Sequence, residues 1–212
     1  MGTRAQTNPA KFAALLAVCL IATGLCAAQP QKKIVCFGDS ITAGYGLDQS
    51  KSYPADLDEM LRARGYHYQV VNRGVPGDTT KDALTRVGQI VALHPDVVVV
   101  EFGGNDGLRG LSTDLTRRNL ARVLDTLLAA HIRVLLVGIT LPPNYGEDYV
   151  AKFTAIFKEQ ADAHHTALMP MIYEGIYNLP GTIQPDGIHP TAKGSQMIAE
   201  HMLSLLSPLL SK

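Results

Sequence analysis

The stretch "DVVVVEF", residues 96–102, indicates the fold class, because it is an almost unbroken run of β-branched residues. Such runs are typical of strands that are buried on both faces of a parallel sheet. A second run of similar character, "RVLLVGI", covers residues 133–139. Shorter apolar segments predict three further strands, at residues 33–37, 68–72 and 166–169. We therefore expect a sheet of five strands.

Segments with helical periodicity lie between the predicted strands. The clearest one forms an apolar helix face from Leu120, Val123, Leu124, Leu127 and Leu128. Four further helices are predicted at residues 54–64, 80–93, 147–163 and 192–206. Strands that alternate with helices form parallel βαβ units with right-handed crossovers. The sequence thus predicts a three-layer α/β/α sandwich with a mainly parallel five-stranded sheet, in one domain over residues 29–212.

The amino-terminal segment has the pattern of a secretory signal. Arg4 and Lys11 precede an apolar run at residues 12–25, and small residues follow up to Ala28. The run is shorter than an ordinary membrane-spanning helix. We therefore predict a signal peptide at residues 1–28, and a mature protein that is periplasmic or secreted and has no transmembrane anchor.

The cysteines bear on the same prediction. Cys19 and Cys26 raise the alternative of a lipoprotein, but Val18 and Leu25 precede them where a bacterial lipobox has a small residue. Lipidation is therefore disfavoured. Cys36 is the one cysteine of the predicted mature chain, and it lies in an apolar strand segment. We expect a buried, inert thiol and no internal disulfide.

Composition and charge exclude several classes of protein. The chain of 212 residues is 46% hydrophobic and 18% charged, which fits neither a disordered nor a fibrous protein. Loss of the signal segment would remove two cations and no acid, which leaves a small negative net charge. Without a basic cluster, nucleic acid is not an expected partner. The cysteines and histidines show no zinc-site spacing, so we expect no zinc site.

Polar residues and glycines collect where the predicted strands end. Ligands of open α/β sheets bind beside the carboxyl ends of the strands. Ser40 follows the first strand in "GDS", Gly77 lies in the loop after the second, and Asn105 follows the third in "GGND". Asp186 and His189 lie in "DGIHP", in the long loop after the fifth. We expect these five residues to share one edge of the sheet.

The residue types at this edge suit acyl transfer. Asp186 and His189 are three positions apart across a turn, so the carboxylate can orient the imidazole as a base for Ser40. The Ser40 N–H, the Gly77 N–H and the Asn105 side-chain amide can then hold an oxyanion. The alternatives are that Ser40 caps a helix, that Gly77 and Asn105 serve turns, and that "DGIHP" is a surface turn.

Four segments, "FGDSITAGYG", "VNRGVPGDT", "GGND" and "DGIHP", together resemble the conserved blocks of the SGNH hydrolases, also called the GDSL esterase/lipase family. "FGGNDGLRG" and "LPPNYG" are similar to its acyl-CoA thioesterase I / lysophospholipase / arylesterase group. The resemblance implies a flavodoxin-like fold, no cofactor, and hydrolysis of acyl esters and thioesters by a Ser40–His189–Asp186 triad. It also implies an oxyanion hole formed by Ser40, Gly77 and Asn105. Arg73 and Pro76 depart from the small residues usual in this group, which bears on substrate preference.

The substrate is expected to be a small acyl ester or lipid. Leu141, Pro142 and Tyr145 follow the fourth strand and are the candidate wall for the acyl group, although packing against the sheet edge is the alternative. We expect a monomeric enzyme. Two other functions remain open: a carbohydrate acetylesterase of the same family, and a noncatalytic flavodoxin-like binding module.

Overall fold

A parallel sheet of five strands forms the centre of the computed structural model, which describes residues 1–3 and 31–212. The strands are β1 (Lys32–Gly38), β2 (Tyr68–Asn72), β3 (Val97–Glu101), β4 (Arg133–Val137) and β5 (Ala167–Met169). Their order across the sheet is β2-β1-β3-β4-β5, and every neighbouring pair is parallel. The five predicted strands are confirmed, with ends that differ by at most two residues.

The run that predicted the fold lies at the middle of the sheet. All five residues of β3 are buried, and Val99 pairs with Cys36 of β1 on one side and with Leu135 of β4 on the other. The edge strand β2 is only partly buried beyond Tyr68. The unbroken β-branched run therefore reflects a strand covered on both faces and both edges.

Seven α-helices are present in the described part of the chain. They are α1 (Ser40–Ala43), α2 (Tyr53–Ala63), α3 (Thr80–Val91), α4 (Gly104–Leu108), α5 (Thr113–Ala129), α6 (Glu147–His164) and α7 (Ala192–Leu206). Helices α2 and α7 pack together, whereas α5 packs against both α3 and α6. The predicted three-layer α/β/α architecture is confirmed. A helix start at Ser40 was predicted, and α1 begins there, whereas the short helix α4 was not predicted because its five residues show no helical periodicity.

Strand β4 ends two residues earlier than predicted. The residue after it, Gly138, lies against the end of β5 and the segment that follows β5. The Gly138 N–H donates to Met169 O at 2.7 Å, and the Ile172 N–H donates to Gly138 O at 2.9 Å. A Cβ atom at position 138 would lie 2.2 Å from Pro170 O. Only glycine permits this close approach of the two chains.

The predictions for the amino terminus are addressed only in part. The signal segment at residues 1–28, including Cys19 and Cys26, lies outside the described residues apart from its first three. Cys36 is fully buried in β1, as predicted, and burial raises the pKa of its thiol to about 12. Within residues 1–3 and 31–212, no helix combines the length and the hydrophobicity that a membrane span requires.

Candidate active site

A cavity of about 610 Å³ opens at the carboxyl edge of the sheet. Its lining includes four of the five residues predicted for the triad and the oxyanion hole: Ser40, Gly77, Asn105 and His189. The fifth, Asp186, is not part of the lining, whereas Asp39, next to Ser40, is. Much of the remaining wall is apolar: Ile41, Leu108, Ile139, Leu141, Pro142, Pro143, Met171 and Ile188. The fold therefore brings the predicted loops together around one apolar cavity.

Ser40 is the first residue of α1, directly after the turn that ends β1. The helix cap is Asp39, because its Oδ1 accepts the Ile41 N–H at 3.0 Å. The alternative that Ser40 itself provides the cap is therefore wrong. A Cβ atom on Gly38 would lie 2.0 Å from Thr42 Oγ1, so this tight turn requires glycine. The side chain of Ser40 remains available at the sheet edge.

Ser40, His189 and Asp186 form a continuous chain of hydrogen bonds. His189 Nε2 lies 2.9 Å from Ser40 Oγ, and His189 Nδ1 lies 2.7 Å from Asp186 Oδ2. With an ionised Asp186, the imidazole carries its proton on Nδ1 and accepts the Ser40 O–H at Nε2. A binding module with unrelated loop residues does not account for this geometry.

Asp186 is held in its ionised form. Its Oδ1 accepts the backbone N–H groups of Ile188 at 2.9 Å and His189 at 3.0 Å. Desolvation opposes ionisation, but the hydrogen bonds from the His189 ring and from these two N–H groups outweigh it and lower the pKa of Asp186 to about 2. The carboxylate that orients the imidazole is thus negative throughout the neutral range.

The three predicted oxyanion donors line the cavity, but they differ in availability. Gly77 has a φ of +86°, and within the described residues neither its N–H nor that of Ser40 has a protein acceptor. Asn105 Nδ2, in contrast, donates to Asp39 Oδ2 at 3.1 Å and to Asp78 O at 3.0 Å. The two backbone N–H groups can therefore bind an anion directly. The Asn105 amide must first share or release one of its two hydrogen bonds.

Glu101, which the sequence did not single out, lies beneath the nucleophile turn. Glu101 is the last residue of β3 and is only 1% exposed. Glu101 Oε2 accepts the Thr42 hydroxyl at 2.8 Å and the Asp39 N–H at 3.4 Å. Thr42 Oγ1 in turn lies 2.8 Å from the Tyr53 hydroxyl. The one signal in the sequence was an acid at the end of a fully apolar strand.

Asp39 and Glu101 form a buried pair of acids, joined by the bond from the Asp39 N–H to Glu101 Oε2. Burial raises the pKa of Asp39 to about 6. Burial and the neighbouring Asp39 charge raise the pKa of Glu101 well above its ordinary value. Since two negative charges cannot both be stable there, Glu101 is the neutral partner at neutral pH.

Arg86 of α3 joins the nucleophile turn to the loop of Gly77. Its guanidinium donates to Gly38 O at 3.3 Å and pairs with Asp78 at 2.5 Å. It lies over the ring of Phe37, 4.9 Å from the centroid. These contacts fix two of the site's loops relative to each other. One cation on an amphipathic helix gave no signal in the sequence.

The predicted acyl wall is placed only in part. Leu141 and Pro142 line the cavity, as proposed from the sequence. Tyr145 is not among the lining residues, and its hydroxyl donates to Leu108 O at 3.1 Å. The 3₁₀ turn Pro143–Tyr145 directs it toward the end of α4. In the part of the chain that is described, no cluster of acids, histidines or cysteines fits a metal ion.

Comparisons with known proteins identify relatives over most of the chain. The sequence model of the GDSL-like Lipase/Acylhydrolase family matches residues 36–197. The esterase TesA of Pseudomonas aeruginosa is 39% identical over 199 residues, which are 93% of this chain and 99% of the relative. The thioesterase 1/protease 1/lysophospholipase L1 of Escherichia coli is 37% identical over 179 residues, 84% of this chain and 85% of the relative.

Solved structures agree with the sequence comparison. A crystal structure of TesA superposes with a TM-score of 0.81 at 40% identity. The superposition covers 84% of this chain and all of the solved chain. Fold and sequence therefore point to the same group of proteins.

We predict that Glu101→Gln makes the free energy of unfolding less dependent on pH. The unfolded chain releases the Glu101 proton near pH 4.5, whereas the native protein, with its raised pKa, retains it. Below that pH both states hold the proton, and the contribution of Glu101 to the free energy of unfolding is at its maximum. As the pH rises further, this contribution falls by up to about 1.4 kcal/mol per pH unit. Glutamine has no titratable proton. The free energy of unfolding of the variant should therefore increase relative to that of the wild type as the pH rises.

Urea unfolding at about pH 5, 6 and 7 measures this difference. Glu59→Gln, on the exposed side of α2, is the matched control and should follow the wild type. A stability difference between Glu101→Gln and the wild type that stays constant across this range would contradict the assignment of a neutral Glu101.

Proposed function

The chain belongs to the GDSL-like lipase/acylhydrolase family, and from this premise we propose that it is an exported esterase that uses Ser40 to hydrolyse acyl esters and thioesters. Family membership makes it a hydrolase of carboxylic ester or thioester bonds. The observation that carries the proposal is the chain of hydrogen bonds from Ser40 through His189 to Asp186, at the mouth of an apolar cavity.

Acylation begins when Ser40 Oγ attacks the carbonyl carbon of the substrate. His189 Nε2 accepts the hydroxyl proton as the new C–O bond forms, and the carbonyl oxygen becomes an oxyanion. The intermediate then collapses, and the bond to the leaving alcohol or thiol breaks. His189 returns the proton to that leaving group, so an acyl-enzyme on Ser40 remains.

Deacylation repeats the sequence with water in place of Ser40. His189 Nε2 accepts a proton from water while the water oxygen attacks the acyl carbon. Collapse of the second intermediate returns the proton to Ser40 Oγ and releases the carboxylic acid. Asp186 stays ionised throughout, because its pKa is lowered to about 2, and it stabilises the imidazolium in both steps.

The oxyanion is held by donors from three loops. Ser40 and Gly77 line the cavity, and their N–H groups have no protein acceptor among the described residues. Asn105 joins them by sharing one of the two protons that it donates to Asp39 and Asp78. Each such donor typically contributes about 10²–10³ in turnover.

The cavity supports an acyl chain longer than acetate. Ile139, Leu141 and Met171 give it an apolar wall, and its volume of about 610 Å³ is in the range of sites for small organic ligands. An acetyl group would fill only a small part of this space. The cavity therefore favours acyl esters, thioesters and lysophospholipids over acetylated carbohydrate.

Export is part of the proposal and rests on the amino-terminal sequence. The charged, apolar and small-residue regions at residues 1–28 form the signal, and residues 29–212 form the mature hydrolase domain. The protein is proposed to act as a monomer in the periplasm or outside the cell, without a cofactor.

A serine-directed fluorophosphonate is predicted to label the folded protein at Ser40 with one equivalent per chain, because His189 activates that hydroxyl alone. Mass spectrometry of the labelled peptide identifies the site. Ser40→Ala should show no labelling and should lose at least about 10⁴-fold in kcat. Equal labelling of the wild type and Ser40→Ala would eliminate Ser40 as the nucleophile.

Hydrolysis of p-nitrophenyl esters of increasing chain length tests the substrate class. We expect kcat/KM to rise from acetate to medium-length chains, by up to about fourfold for each methylene that the cavity desolvates. The rise should stop once the chain fills the cavity. Ser40→Ala supplies the background rate. A maximum at acetate with a steep decline beyond it would favour the carbohydrate acetylesterase instead.

A further inference from the structure

The two turns that carry the proposed triad differ in burial. The turn that carries Ser40 is buried, with Asp39 at 2% exposure and Thr42 fully covered. The turn that carries the base is exposed from Asp186 to Ile188, and Ile188 is 40% exposed. Exposed loops are generally more mobile than packed turns. Some feature must therefore hold His189 at bonding distance from Ser40.

Two tyrosine hydroxyls bind the exposed turn directly. The Tyr173 hydroxyl donates to Ile188 O at 2.7 Å, and the Tyr177 hydroxyl donates to Gly187 O at 3.0 Å. Gly187 and Ile188 are the two residues between Asp186 and His189. The tyrosines therefore fix both carbonyl groups of the short segment that separates the orienting acid from the base.

The segment that carries the tyrosines is anchored to the core, although Tyr177 itself is 51% exposed. Tyr173 and Tyr177 lie four positions apart in the segment after β5, where Ile172 and Ile176 are fully buried. The Tyr177 N–H donates to Tyr173 O at 3.3 Å, which keeps both rings on one side of the segment. Burial raises the pKa of Tyr173, so its hydroxyl keeps its proton and remains a donor throughout the neutral range.

We propose that Tyr173 and Tyr177 are positioning residues that hold the Asp186–His189 turn so that the imidazole reaches Ser40. The inference rests on the proposed function of Ser40 and His189. Asp186 and His189 belong to the same turn, so a loosened turn would move them together and keep their mutual bond. The contact that would weaken is the one between His189 Nε2 and Ser40 Oγ.

The test uses Tyr173→Phe, Tyr177→Phe and the double variant, which lose the hydroxyls and keep the rings that line the cavity. Loss of one hydroxyl-to-carbonyl bond should lower kcat by about 3- to 10-fold, and loss of both should lower it further. KM should change by less than about twofold, because the apolar wall is unchanged. The rate of Ser40 phosphonylation should fall in parallel with kcat.

Tyr149→Phe is the matched control. Its hydroxyl also donates to a backbone carbonyl, Leu111 O, at 2.7 Å, but it lies outside the cavity and the proposed triad. All variants are assayed well below their unfolding temperatures. Tyr149→Phe should keep kcat within about twofold of the wild type, which separates positioning from a general loss of stability.

Three results would overturn the inference while leaving the proposed function intact. Two of them are an unchanged kcat in the double variant and an equal loss of kcat in Tyr149→Phe. A rise in KM at constant kcat would also overturn it, since the hydroxyls would then serve substrate binding. Full activity of Ser40→Ala would instead overturn the proposed function, and the inference with it.

Discussion

The hydrogen bond between His189 Nε2 and Ser40 Oγ joins residues that are 149 positions apart, and the proposed chemistry depends on it. A neutral serine is a poor nucleophile without a base within hydrogen-bond distance. The parallel sheet supplies the general solution, because its strands end at one edge and their loops meet there. The positions of the two side chains within these loops are set by the local contacts of each loop, which differ in burial and in chemistry.

Beneath the nucleophile, the structure buries two carboxyl groups together with the polar groups that they bind. Asp39 caps the helix of Ser40 and holds Asn105, while Glu101 receives the Thr42 hydroxyl and the Asp39 N–H. An uncompensated pair of buried carboxylates would be costly, and retention of one proton removes most of that cost. The network thus links the turn of the nucleophile to a proposed oxyanion donor.

Much of the fold followed from the sequence because its signals are periodic and local. The β-branched run predicted strand β3, and the apolar face predicted helix α5. The rule that ligands bind at the carboxyl ends of the strands predicted that Ser40, Gly77, Asn105 and His189 meet, and all four line one cavity. The alternation of strands and helices likewise indicated the parallel sheet with helices on both faces. Local patterns were therefore sufficient for the layers of the sandwich and for the edge that holds the site.

Contacts between a side chain and the backbone of a distant segment could not be predicted. The direction of Tyr145 is set by a 3₁₀ turn and by Leu108 O, neither of which a sequence pattern encodes. Arg86 was missed because its partners, Gly38 and Asp78, come from two other loops. A side chain whose role depends on where other loops place their carbonyls has no local signature.

The most direct test of the account is a crystal structure of the protein with Ser40 phosphonylated. The account predicts a phosphonyl oxygen about 2.7–3.1 Å from Ser40 N, Gly77 N and Asn105 Nδ2, with His189 still bound to Asp186. A phosphonyl oxygen that faces solvent, while Asn105 keeps both of its bonds to Asp39 and Asp78, would contradict it.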